Sequence, residues 1–196
     1  MVHRQPEWTG RLAAALWLVS LLTATASTSY AQPAAMAVEV LLINQAAVDD
    51  ATLRAARTDV EKFFTAIDVA IVWVDRVPAD NRLYVVCITS EPVFSVHVSP
   101  NALGAAASSR GVRGVRAYVF HPRVVKAVAR SGAELRTVLA MAIAHELGHL
   151  LRPTADHDPD GLMRESWTPR ELALASRGAL AFSRRAGAAI RSTLRR

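Results

Sequence analysis

The rhythm of apolar positions along this chain changes several times, and each rhythm predicts an element. Met36 to Ile43 (MAVEVLLI) is a short run of branched and long aliphatics, with the length and make-up of a buried strand. Next, Leu53, Ala56, Val60, Phe63, Phe64 and Ile67 recur three and four apart while Arg54, Arg57, Asp59, Glu61 and Lys62 fill the opposite face. This is a helix, capped by Asp49 or Asp50. Val69 to Val74 and Leu83 to Ile88 read as two more buried strands, parted by the turn-forming residues Pro78 to Asn81. From Glu91 to Arg113 the pattern dissolves into Pro, Ser, Asn and Gly, a long loop, and it resumes at Val115 to Phe120 as a strand expected at the edge of the sheet.

A short helix over Val124 to Arg130 stops at Ser131-Gly132. Ser131 and Glu134 have the spacing of a capping box, so a second helix is expected to begin near Gly132 and to run until Pro153 breaks it. Leu135, Val138, Leu139, Ala142, Ile143 and Leu150 make it strongly apolar, which puts it in the middle of the fold. Thr168, with Pro169 and Glu171 in the first turn, caps a last helix whose stripe is Leu172, Ala175, Ala179, Phe182, Ala186 and Ile190. The order of elements predicts an α/β (α+β) fold, a mixed twisted sheet with helices packed on it, a central helix and a small C-terminal helical part. A single domain over 32–196 is expected, with the sheet and central helix in 32–150 and the remainder in 151–196.

Composition alters this little. The 196 residues are 52% apolar and 20% charged, which argues against disorder. The net charge of +6 is carried by arginine, Lys62 and Lys126 being the only lysines, and no basic run is interleaved with aromatics, so no nucleic-acid partner is expected. At the N-terminus, His3, Arg4 and Arg11 flank the apolar run Leu12 to Thr25, and Ser29-Tyr30-Ala31 offers small residues to a signal peptidase. Residues 1–31 therefore read as a signal peptide, placing the mature chain in the periplasm or outside the cell. The run is short of the ~20 residues a membrane span needs, so no stable insertion is expected after cleavage. Cys87 is the only cysteine, which excludes an internal disulfide, and its apolar neighbours mark it as a strand residue rather than a nucleophile.

The chemistry is concentrated in HELGHLLRPTADHDPDGLM, His145 to Met163. A helix turns by about 100° per residue, so His145 and His149 stand on one face with their rings able to converge on one ion. Catalytic zinc commonly takes three protein ligands and keeps a fourth position open. His157, brought back by the break at Pro153, is the leading third ligand, and small Gly148 lets another segment approach the helix. Glu146 projects beside the histidines, where it can act as general base toward water whose acidity a metal raises. Tyr118 is a candidate for a further oxyanion donor, and the strand Val115 to Phe120 could pair with an extended peptide. His97 and His121 stand alone and carry no metal role.

These residues resemble the zinc site of the metzincin clan of metallopeptidases, in which an elongated HExxH supplies two histidines and the base, a third histidine follows, and a methionine turn lies beneath the metal. The resemblance implies His145, His149 and His157 as zinc ligands, Glu146 as general base and Met163 as the turn methionine, on a zincin-like fold. More narrowly, AYVF, HELGHLL, the later histidine and GLMR are similar to a group of small secreted bacterial metallopeptidases, over roughly residues 100 to 170. Two positions depart from the clan. Arg152 stands where the pattern has glycine and Ala155 where it has the third histidine, so His157 comes two residues late. Asp156 or Asp158 ranks second as third ligand, and Glu165 or Glu171, as in another zinc architecture, third. The expected activity is secreted zinc-dependent endopeptidase action on peptide or protein substrates. The competing expectations are a zinc amidase acting on cell-wall peptides and a non-catalytic zinc-binding protein of zincin fold.

Overall fold

The computed structural model describes residues 36–76, 83–90, 99–109 and 112–196, side chains at 108–114 excepted. The leader-like segment 1–31 and His97 lie outside them. Five strands, β1 (Met36–Asn44), β2 (Val69–Val74), β3 (Tyr84–Thr89), β4 (Gly104–Ser109) and β5 (Val112–Phe120), form one sheet in the order β2-β1-β3-β5-β4. All neighbours are parallel except β4, which runs antiparallel to β5. The helices are α1 (Asp50–Thr65), α2 (His121–Ser131), α3 (Leu135–Leu151), α4 (Pro169–Ser176) and α5 (Arg184–Leu194). The mixed α/β class expected from the apolar pattern is the one observed.

α1 starts as anticipated, with the Asp49 side chain accepting from the Thr52 amide, and buries Ala56, Val60, Phe63 and Phe64. Its outer edge is tied to β2, where the Trp73 indole donates to Glu61 at 2.7 Å. α3 is the centre of the molecule. Every residue from Thr137 to Leu151 except His149 is buried, against α1 on one side and β4 and β5 on the other. A helix apolar all round can only sit inside a fold. The opposite face of the sheet has a separate small cluster of Leu83, Val85 and Cys87. Cys87 is thus a buried strand residue, and burial pushes its thiol pKa up.

Four expectations need correction. Val115 to Phe120 is not an edge, because β5 is paired on both sides, and the edge is β4, formed by GAAASS inside the expected loop. Glycine, alanine and serine carry almost no strand signal. The helix before α3 begins at His121 and ends at Ser131, whose hydroxyl donates back to Ala127 O. No capping box forms, since Gly132 closes α2 in the left-handed region (φ 70°) and Glu134 precedes α3 without a side-chain cap bond. Finally, the C-terminal helix is two helices. A second left-handed glycine, Gly178 (φ 68°), stops α4, and the chain crosses to α5 with Ala181 O accepting from the Leu162 amide at 2.9 Å.

Candidate metal centre

α3 aims two of the three candidate ligands. His145 is buried, and its Nδ1 donates to Leu162 O at 2.9 Å, which fixes the ring and turns Nε2 inward. His149, one turn on, places its Nε2 3.0 Å from that of His145. The third arrives from the far side of the proline break. Arg152 has extended backbone (φ −96°, ψ 154°), as a residue before proline must, and the chain reverses so that His157 Nε2 lies 3.2 Å from His149 Nε2. All three ligand atoms fall within 4.8 Å of one another.

Such a donor set fits a metal ion. Three nitrogens at tetrahedral positions about 2.0–2.1 Å from zinc stand roughly 3.3 Å apart, close to the spacing found. The rings are also in the right protonation state. Burial holds the pKa of His145 down to about 4, and burial with the neighbouring rings of His145 and His157 holds His149 down to about 3, so both are neutral and keep a lone pair at ordinary pH. His149 Nδ1 is buried without a hydrogen-bond partner among the described residues.

Glu146 points from α3 to the edge strand. A Cβ on Gly104 would lie 2.6 Å from Tyr118 O, 2.7 Å from Glu146 Cγ and 2.8 Å from its Oε1, so glycine at this position of β4 leaves room for both the neighbouring strand's carbonyl and the carboxyl group. Burial raises the Glu146 pKa to about 8, against a smaller lowering by the Ala106 amide. Met163 is fully buried against α3 at Gly148, where a Cβ would collide with Met163 Sδ.

The alternative third ligands are all committed elsewhere or stand apart. Asp158 is buried in an ion pair with Arg152 at 2.9 Å and accepts from the Ser183 hydroxyl. Glu171 closes the capping box of α4 with Thr168 and pairs with Arg164 at 3.2 Å. Asp156 and Glu165 are exposed and are not in the cluster. Tyr118 does not face the site. Strand residues alternate, and Ala117 and Val119 point to the core under α3 while Tyr118 packs with the Leu83, Val85 and Cys87 cluster on the other face. His121 is not among the three clustered histidines. Two neighbours had no signal in the sequence. Trp167 sets its ring edge-on to His145 at 5.5 Å and donates from Nε1 to Leu162 O at 3.2 Å, and Arg152 grips the loop that carries His157.

Sheet, central helix and returning loop together define a zincin-like fold. A solved structure that shares it is the crystal structure of archaemetzincin from Methanopyrus kandleri, with a TM-score of 0.53 and 18% sequence identity over 84% of this chain and 99% of that one. No protein-family model matches the chain, and no characterised protein matches it by sequence. Among the described residues no helix is long and apolar enough to cross a membrane.

Proposed function

We propose that this chain is a zinc-dependent metallopeptidase in which His145, His149 and His157 hold the metal and Glu146 is the general base. The observation that carries the reading is the convergence of three ring nitrogens at 3.0 and 3.2 Å on the helix of a zincin-like fold. The archaemetzincin likeness in fold supports it. Bound there, zinc would supply Lewis-acid polarisation of the scissile carbonyl and acidify water. The chain supplies the rest. His145 and His149 offer neutral nitrogens because burial keeps protons off them. Glu146, ionising more readily once a cation lies nearby, takes the proton of the attacking water and passes it to the departing amine. The outer side of β4, the sheet edge nearest Glu146 among the described residues, offers main-chain groups on which an extended peptide can lie. Export to the periplasm or beyond is part of the proposal and rests on the leader-like composition of residues 1–31.

The test is a peptide-library digest by purified protein of measured zinc content, beside Glu146→Gln. The variant is expected to retain zinc and to lose about 10²- to 10⁴-fold in rate, the usual worth of a positioned acid–base group. Stoichiometric zinc with no cleavage of any peptide, and no change in Glu146→Gln, would overturn the enzyme reading. Cleavage confined to cell-wall peptides would move the protein to the amidases.

A further inference from the structure

His157 is exposed, and among the described residues its ring meets the rings of His149, at 3.2 Å between Nε2 atoms, and of His145, on which it stacks, both candidate co-ligands. Its position is decided by the residues on either side. Arg152, at the end of α3, reaches across the loop with a side chain only 2% exposed, and its Nη1 donates to Asp156 O while its Nη2 donates to Asp158 Oδ1, each at 2.9 Å. One guanidinium therefore grips the chain immediately before and immediately after His157. Asp158 is held in turn from two more directions. Its other carboxylate oxygen accepts from the Ser183 hydroxyl at the start of α5, and its amide donates to Met163 O at 2.9 Å.

A buried ion pair is a poor source of stability, since desolvation of both charges offsets their attraction. Among the described residues this one leaves Arg152 Nε buried without a partner, a further cost. It occupies the position at which the related zinc motif has a glycine, and the loop it closes is two residues longer than that motif. The geometry points to a positioning role: Arg152 and Asp158, backed by Ser183, form a clamp that sets the longer loop so that His157 meets the other two ligands. This rests on the reading of His157 as a ligand.

Zinc affinity measured by competition with a chromophoric chelator tests it, in the full chain and with a double-mutant cycle. Partners that orient a ligand typically change metal affinity by about 10- to 100-fold, and that loss is expected in Asp158→Asn and Arg152→Lys. In the His157→Ala background the same substitutions should change affinity less than about threefold, because there is no ligand left to position. Cobalt-loaded Asp158→Asn should likewise give the absorption bands of His157→Ala rather than those of the wild type. A role confined to stability would lower Tm equally in both backgrounds and leave the cobalt bands alone, and that result overturns the clamp. Should Asp158→Asn fail to fold, Ser183→Ala removes one hydrogen bond to the carboxylate and keeps the ion pair, and it must weaken zinc only when His157 is present. Equal zinc affinity in wild type and His157→Ala removes the ligand reading and the clamp together. Weakening in His157→Ala with none in the clamp variants overturns the clamp alone.

Discussion

Two consecutive stretches furnish the candidate ligands, and they are built on opposite principles. α3 is nearly all buried, so His145, Glu146 and His149 stand on a rod wedged among aliphatic side chains. In the segment from Arg152 to Thr168, only Arg152, Asp158, Leu162 and Met163 are buried. That segment is anchored at a few points, by an ion pair, two apolar side chains and main-chain bonds such as Leu162 N to Ala181 O. Packing places the first two candidate ligands, and an ion pair with its hydrogen bonds anchors the loop that carries the third. Rigidity obtained by burial is costly to disturb anywhere along the helix, whereas rigidity obtained by point anchors is costly only at the anchors.

The strongest challenge to this contrast is truncation. Leu147 is fully buried on α3, and Leu147→Ala should lower stability by about 2–5 kcal/mol through lost burial and the cavity left behind. Thr154→Ala, at an exposed position of the loop, should stay within about 0.5 kcal/mol. Urea midpoints at constant slope read both. Similar losses at the two positions would mean that the loop is packed like the helix.

Acid should act on the ligand cluster of the metal-free protein next. Between pH 4.5 and 6.5 the unfolded chain protonates both His145 and His149, whose ordinary pKa is 6.5, while the folded chain, with values of about 4 and 3, does not. Both therefore make stability rise with pH in this window. Glu146 works against them, since its carboxyl keeps a proton to about pH 8 when folded but releases it near 4.5 when unfolded. Two protons against one leave a net slope of about 1.4 kcal/mol per pH unit, rising toward neutrality. Above 6.5 the Glu146 contribution alone remains and stability falls. Urea midpoints across pH in chelator should peak at about pH 6.5, and Glu146→Gln should flatten the alkaline side. A curve still climbing from pH 7 to 8 would contradict the buried, protonated Glu146.

The same division decides what could be read from the chain. α3, α1 and the parallel strands announce themselves because burial writes long apolar patterns, and the ligand spacing rides on the most apolar of them. β4 was hidden because glycine, alanine and serine carry little strand signal, and the need for Gly104 is tertiary: a Cβ there would meet Tyr118 O of β5 and the Glu146 side chain of α3, a reason with no local trace. Ser131 and Glu134 had the right letters for a capping box, but Gly132 is the stronger sign, a left-handed glycine ending α2. The apolar stripe from Leu172 to Ile190 concealed a break for a similar reason, since Leu180 and Phe182 are buried on the non-helical crossing between the two helices. Asp158 stands out in the sequence as an alternative ligand and Arg152 as a departure from the motif's glycine, but their ion pair leaves no trace there, because nothing in a sequence tells which charges meet in the interior.

Gly148 is where the two stretches touch. Adding a Cβ there would drive into Met163 Sδ and come within 3.2 Å of Met163 Cε and of Phe182 Cε1, all in a closed interior. Gly148→Ala is expected to cost about 1–3 kcal/mol as overpacking. With Met163 truncated to alanine the same substitution should cost far less, because the colliding atom is gone. An unchanged penalty in that background would place the strain within α3 rather than at its contact with the loop.

The smallest effect is expected at Trp167, whose Nε1 donates to Leu162 O over 3.2 Å. That carbonyl also accepts from His145 Nδ1, so Trp167→Phe removes a donor without leaving the buried acceptor unpaired. The aromatic edge against His145 is kept. Losing one such bond should cost about 0.5–1.5 kcal/mol, and zinc affinity should change less than about threefold, since His145 keeps its own bond to the loop. A tenfold fall in zinc affinity would mean that the indole, rather than burial on α3, orients the His145 ring. In that event two of the three candidate ligands, His145 and His157, would depend on point anchors, and burial on α3 alone would place only His149.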